Sequence, residues 1–198
     1  MPAQTWVTPV TLFGTRVRME PLADHHLDDL AAVAGDPAIW RWITGLPMDR
    51  ASLEAWLDQA LANAADGLEV PFATIDLATD RAIGSSRFMS IAPEHRRVEI
   101  GWTWLAPASQ RSGANREAKL LQLTHAFETL DARRVEFKTH ARNLASRAAL
   151  LGIGATFEGV LRHHVLMADG SDRDSAYYGI TAAEWPAVRA RLETSLAR

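Results

Sequence analysis

Hydrophobic positions along the chain repeat with two periods, and each change of period marks an element. In Thr11–Pro21, Leu12, Val17 and Met19 alternate with polar positions around a Gly-Thr turn, which predicts a first strand or short hairpin arm. The period then lengthens. Leu27, Leu30 and Val33 fall on one helical face, with Asp24 as N-cap and Gly35 as the stop. DPAIWRWITGLPM, with Pro37, Gly45 and Pro47, predicts an irregular or short helical segment. A second helix, capped by Asp49 or Ser52, runs through Ala65 and turns Leu53, Trp56, Leu57, Ala60 and Leu61 to one side.

From Val70 the period returns to two. VPFATIDLATD, AIGSSRFMSI and VEIGWTWL predict three antiparallel strands joined by turns at Asp80 and PEHRR. Strict alternation in the third puts Val98, Ile100, Trp102 and Trp104 on one face and Glu99, Gly101, Thr103 and Leu105 on the other. Leu120, Leu123, Phe127 and Leu130 then recur at helical spacing, widened by Ala118, Leu121 and Ala126. Arg134–His140 predicts a strand with Val135 and Phe137 inward, followed by a short helix from Asn143 to Leu151 ended by Gly152 and Gly154. A hairpin turning at Asp169-Gly170 and a terminal helix over Thr181–Ala197, with Glu184 in its first turn, complete the chain.

One strand–loop–helix–strand unit inside otherwise antiparallel hairpins predicts an α/β (α+β) mixed sheet, largely antiparallel, with one parallel strand pair and helices on both faces. Strands diverging beside that unit would leave a slot for an elongated ligand. Over 198 residues, 47% hydrophobic and 23% charged, this reads as one domain with a sizeable core. No apolar run is long enough for a membrane span, and MPAQTWVTPV lacks a signal core, so the expected compartment is the cytoplasm. The absence of cysteine excludes disulfides, thiolate nucleophiles and Cys-based metal sites. A net charge of −3 gives no field for nucleic acid, and Arg96-Arg97 and Arg133-Arg134 read as solvated surface. His25 and His26 read as solvent-exposed without acidic partners, so no metal is expected.

Between the third strand and the long helix lies Gln110-Arg111-Ser112-Gly113-Ala114-Asn115. Where a strand feeds a glycine-bearing loop into a helix, converging N–H groups and the helix dipole form an anion cradle. This loop, the strand EIGWTWL before it, the helix REAKLLQLTHAFE and strand VEFKTH after it, and ARNLASRAALLGIGATFEG together resemble the GCN5-related N-acetyltransferase (GNAT) family, in particular its ribosomal-protein N-terminal acetyltransferase branch. The resemblance spans about residues 12–180 in element order and is specific over Val98–Gly159, with the helix at 181–197 beyond it. Gln110 and Gly113 meet the loop consensus; Asn115 stands where the family has a small residue and can serve as an N-cap.

The resemblance implies a GNAT fold with a splayed parallel pair and transfer of acetyl from acetyl-CoA directly to a primary amine, on a protein N-terminus or a small molecule. It also implies a pyrophosphate on Arg111, Ser112, Gly113, Ala114 and Asn115 beside Gln110, pantetheine beside Trp104 and Leu105, and a bulge or splay there that frees an N–H for the thioester carbonyl. Asn143 would bind a pantetheine amide, and Ser146 would protonate the departing thiolate, Leu150 standing where many members have tyrosine. For the base, Glu99, His163 and His164 stay open; Glu99 could instead pair structurally with Arg97 or Arg87, and Val165 stands at the branch's carboxylate position. Trp40, Trp42 and Trp102 are candidates for the acceptor side, as surface suited to flat groups. The expected partners are acetyl-CoA and an amine, with a homodimer possible and neither nucleic acid nor membrane involved. The competing reading is a non-catalytic acyl-CoA-binding or sensor module on the same fold.

Overall fold

The chain forms β1 (Leu12–Phe13), β2 (Val17–Pro21), α1 (Leu27–Val33), α2 (Pro37–Trp40), α3 (Arg50–Ala65), β3 (Val70–Asp76), β4 (Arg81–Ala92) and β5 (Arg97–Leu105). It continues with α4 (Ala114–Thr124), β6 (Arg134–His140), α5 (Leu144–Ile153), β7 (Thr156–Leu166), β8 (Asp172–Thr181) and α6 (Trp185–Leu196). The structure is a computed structural model that describes residues 6–43 and 49–197. Gly45 and Pro47 of the expected irregular segment, and the first five residues of the N-terminal stretch, lie outside the described residues.

Eight strands make one sheet in the order β1-β2-β3-β4-β5-β6-β8-β7, with β5–β6 its one parallel pair among the described residues. A parallel pair needs a crossover, and α4 supplies it. Helices cover both faces because the central strands β3, β4 and β5 bury both sides. On one face Val98, Ile100, Val135 and Phe137 pack with Leu123 of α4, Leu150 of α5 and Leu192 of α6. On the other, Ala73, Ile75 and Trp104 pack with Leu30 of α1, Trp40 of α2 and Leu53, Trp56 and Leu57 of α3.

Several details depart from the expected pattern. Ala23, not Asp24, is the N-cap of the first helical turn, and Asp24–His26 form a 3-10 turn ahead of α1. His26 is buried there rather than exposed, its Nε2 2.9 Å from Glu20 Oε1. Asp49 caps α3 through Ser52 N–H at 2.8 Å, one of the two alternatives. After Thr124 the helix widens into a π-turn over His125–Thr129. The terminal helix begins at Trp185, because β8 pairs through Thr181 with Arg134 and Glu184 accepts the Thr181 N–H and hydroxyl, both at 2.7 Å.

The alternation read for VEIGWTWL fails at its centre. Ser85 pairs with Trp104 and Arg87 with Gly101, so Trp102 and Thr103 together oppose Ser86 in a β-bulge. Trp102 has φ +49°, the left-handed region, which costs a non-glycine residue about 1–2 kcal/mol. The extra residue inverts parity beyond it. Glu99 therefore shares its face with Trp102 and Trp104, and Val98 and Ile100 share theirs with Thr103 and Leu105.

α4 is fixed at its start by a carboxylate. Glu117 accepts N–H bonds from Thr15 (3.0 Å), Arg16 (2.7 Å) and Val17 (2.8 Å) and the Thr15 hydroxyl (2.7 Å), in the turn between β1 and β2. Gly14 is required in that turn, since a Cβ there would stand 2.5 Å from Glu117 Oε2. Burial alone would raise the Glu117 pKa, but these hydrogen bonds outweigh it and hold the group below its ordinary value of 4.5. Glu117→Ala should lower the unfolding free energy by about 3 kcal/mol, since three main-chain donors lose their partner. A carboxylate with a depressed pKa stabilises above about 4.5 and loses that contribution as pH falls through its folded value. Chemical denaturation of wild type and Glu117→Gln from pH 7 to 3 should therefore show a shallower acid loss in the variant.

Candidate active site

Because β5 and β6 run parallel, the helices that follow them, α4 and α5, both begin at the same end of the sheet. Their pairing is short: Arg97, Val98 and Glu99 align with Arg134, Val135 and Glu136, and beyond that the strands part. The unpaired stretches, Ile100–Leu105 and Phe137–His140, flank a gap with one helix N-terminus behind each strand. The closed end is tied by ion pairs from Arg97 to Glu136 (2.5 Å) and from Arg134 to Glu136 (2.8 Å) and Glu158. The arginines expected to be plain solvated surface are thus partly engaged in this clasp.

At the open end, Ala106 N–H bonds Ile83 O at 2.7 Å, and the chain turns through Pro107–Ser109 into the loop. Arg111 (φ +61°) and Gly113 (φ +94°) are both left-handed, which curls the main chain round on itself. Ser112 Oγ donates to Ser109 O (2.7 Å) and accepts the Ala114 N–H (3.3 Å), and Gln110 Nε2 donates to Leu105 O (3.3 Å). The N–H groups of Arg111, Ser112, Gly113 and Asn115 have no partner among the described residues. Gly113 is the N-cap of α4, and Asn115 lies inside the first turn with Oδ1 buried and unpaired, so the expected asparagine cap is not made. Asn143 does cap its helix: Oδ1 accepts the Ser146 N–H at 3.1 Å, so Ser146 stands in the first turn of α5 at the mouth of the gap.

Glu99, at the last paired position, is 3% exposed. Its Oε2 accepts from Lys138 Nζ and Ser90 Oγ, both at 3.1 Å, while Oε1 is buried without a partner. The pairing with Arg97 or Arg87 is not formed; those arginines bond Glu136 and Glu69. Cross-strand register puts Lys138, His140, Ser175 and Tyr177 on the same face as Glu99. His164 joins them through Ser175 Oγ (3.1 Å) and Tyr177 Oη (3.3 Å), whereas the exposed His163 pairs with Asp172 at 2.9 Å.

The tryptophans divide. Trp42 meets the His140 ring edge-on at 4.7 Å, and Trp102 stacks on the Arg87 guanidinium at 4.9 Å, with Trp56 on its other side at 5.0 Å. Trp40 is fully enclosed, its indole N–H on Ala34 O at 2.8 Å, and with Trp104 it forms the floor beneath that surface. Glu20, His25 and His26 come together near the start of α1, so an acidic partner from the end of β2 stands beside both histidines. His26 Nδ1 lies 3.1 Å from the Ala23 nitrogen and 3.2 Å from Ala23 O, and Nε2 lies 2.9 Å from Glu20 Oε1. Among the described residues no helix is long and apolar enough to cross a membrane.

Sequence reasoning missed Lys138, His140 and Tyr177, although their alternation with Val135, Phe137, Ala176 and Tyr178 carried the signal. It also missed Lys119. Buried beneath β5, its Nζ donates to Thr103 Oγ1 (2.7 Å), Ser86 Oγ (3.0 Å) and Gln122 Oε1 (3.1 Å), and burial pushes its pKa down to about 7.

A gap between two parting parallel strands, with unpartnered main-chain N–H groups and a helix N-terminus at its mouth, is an arrangement suited to an elongated anionic ligand. The chain belongs to the GNAT acetyltransferases: residues 16–156 match the family described as Acetyltransferase (GNAT) domain. It has the mixed α/β fold of that family. The curated relative "Uncharacterized N-acetyltransferase YoaA" of Bacillus subtilis is 32% identical over 102 residues, 52% of this chain and 56% of that protein, so the match spans about half of each. A GCN5-related N-acetyltransferase from Brucella melitensis is 32% identical, with TM-score 0.88 over 96% of this chain and 89% of its own. Mycobacterium smegmatis RimJ in complex with CoA-disulfide shares the fold, with TM-score 0.81 over 94% of this chain and 95% of its own at 23% identity.

Burial, and after it the charges of Arg142 and Arg173, push the His140 pKa below its ordinary 6.5. The fold thus favours the neutral ring, and stability present above about 6.5 declines as pH falls until the folded-state pKa is reached. An NMR titration of the ring protons should give His140 a midpoint below 6.5, and chemical denaturation should show a shallower decline below pH 6.5 in His140→Gln.

Proposed function

We propose that the gap between β5 and β6 takes acetyl-CoA and that an amine entering over the Glu99 face attacks it directly. The observation that carries this reading is the arc of unpartnered N–H groups on Arg111, Ser112, Gly113 and Asn115 at the open end of the gap. Four converging donors at a helix N-terminus fit a pyrophosphate, and the side-chain-free Gly113 lets it approach the main chain. The CoA compound in the RimJ neighbour is consistent with it. When bound, acetyl-CoA supplies a thioester activated toward amines.

The chain's own groups then have separable tasks. The cradle, with Gln110 holding Leu105 O, fixes the phosphate end, and Asn143 at the start of α5 faces the pantetheine. The edge N–H groups of β5 that β6 leaves unpaired, near the bulge and running to Trp104 and Leu105, stabilise charge developing on the thioester oxygen. Glu99 Oε1, already desolvated and unpaired, accepts the proton of the incoming amine, and Lys138 on Oε2 keeps the carboxylate oriented. His164, tethered by Ser175 and Tyr177, is the alternative base; His163 points to Asp172 instead. Ser146, in the first turn of α5, gives its proton to the departing thiolate. Trp42, His140 and Trp102 line the acceptor approach, with Trp40 as their support. The acceptor class is a primary amine, either a protein N-terminus or a small molecule.

Isothermal calorimetry should show one acetyl-CoA per chain, weakened about tenfold or more by Gly113→Glu, which puts a carboxylate and a strained side chain in the cradle. Unchanged affinity in that variant would remove the assignment. In CoA-release assays over an amine panel, Glu99→Gln and Ser146→Ala should each lower kcat by about a hundredfold with little change in acetyl-CoA affinity. Tight binding with no turnover on any amine would favour the non-catalytic reading.

A further inference from the structure

Lys119 is 4% exposed, and its three donors meet three uncharged oxygens, those of Thr103, Ser86 and Gln122. The tripod is closed by Ser86 Oγ, which lies 2.8 Å from Thr103 Oγ1 and 3.1 Å from Gln122 Oε1. No carboxylate takes part. An ammonium group without a counter-charge is an expensive way to fill a core, and a methionine of similar volume would do so at lower cost.

The position of the tripod gives the expense a use. Thr103 is the second residue of the bulge, Ser86 is the single residue that the bulge opposes, and Gln122 is on the same helix as Lys119. A bulge with a left-handed tryptophan persists only where its surroundings over-determine it. From one face Arg87, held by Glu69 at 2.6 Å, stacks on Trp102; from the other Lys119 grips Thr103. Since α4 starts at Ala114, the same helix carries the phosphate cradle and, five residues on, the clamp on the bulge.

We propose that Lys119 is a positioning residue for acetyl transfer: by holding Thr103 and Ser86 from beneath the sheet, it sets the bulge of β5 at a fixed distance from the cradle and so aims the strand's unpaired N–H groups at the thioester carbonyl. This rests on the reading that acetyl-CoA occupies the β5–β6 gap. Lys119 acts through Thr103 and touches no reacting atom.

The test uses full-length protein and acetyl-CoA labelled with carbon-13 at the acetyl carbonyl, with Lys119→Met and the near-isosteric Thr103→Val as variants. Wild type should shift the bound carbonyl resonance downfield, as hydrogen bonding polarises it. Both variants should keep CoA affinity within about threefold by calorimetry while losing about half or more of that shift, because the cradle is intact and the carbonyl donors are misaimed. A wild-type shift retained in full by a folded variant overturns the role of Lys119 and leaves the acetyl-CoA site standing. Affinity lost in step with the shift also overturns it, as a general structural role. Wild-type protein that binds no acetyl-CoA removes the site and this inference together.

Discussion

Main-chain hydrogen bonding between β5 and β6 stops at Glu99 and Glu136, and the rest of the architecture keeps that separation open without collapse. Peptide groups on facing strand edges strongly prefer to pair, and exposed ones are costly when buried. Two parallel strands in one sheet would zip along their length unless their outer halves were held apart. On the β5 side the bulge at Trp102 and Thr103 turns the strand. On the β6 side β8 pairs with every residue from Arg134 to His140, holding β6 to the far half of the sheet. The arginine–glutamate clasp at the closed end fixes the vertex.

Both cores serve this geometry. Glu117 ties the first turn of α4 to the β1–β2 turn, which sets where the cradle sits relative to β5. On the opposite face the stacked Trp56, Arg87 and Trp102, with Trp40 and Trp104 below, give the Glu99 side a rigid aromatic floor. Surface depressions of about 490 and 470 Å³ lie at the closed end, around His95, Arg133 and Thr181, and along the loop itself, where Thr15 and Asp76 face Ser109, Ser112 and Ala114. Neither contains the parted stretches of β5 or β6.

The strand–loop–helix–strand unit was legible because each part has a local cause: period two, then a glycine able to take positive φ, then period 3.6. Asp49 was legible as a cap, one of two alternatives with Ser52, for the same reason. The resemblance implied a bulge or splay near Trp104 and Leu105, but periodicity did not place it, since inserting one residue into WTW leaves the composition and apparent alternation unchanged; pairing with Ser85 and Arg87 puts it at Trp102 and Thr103, where it reverses the face assigned to Glu99. Lys119 reads locally as an ordinary solvated lysine, although Gln122 and Ala126, three and seven residues on, are both fully buried. Lys138, the partner of Glu99, is 39 residues away, and the burial of His26 depends on Glu20 across a turn. What escaped sequence reading was contact across strands and helices, where the candidate chemistry resides.

On the proposed function, acetyl-CoA completes the edges that β5 and β6 leave unpaired. Amide chemical-shift mapping of nitrogen-15-labelled protein during titration with acetyl-CoA reads this residue by residue. The largest shifts should fall at Arg111–Asn115, at Trp102–Leu105 and around Asn143, with little change in β1–β3 or at the closed end near Arg97 and Arg134. Saturable shifts centred on residues outside the gap, with those three segments unmoved, would contradict it.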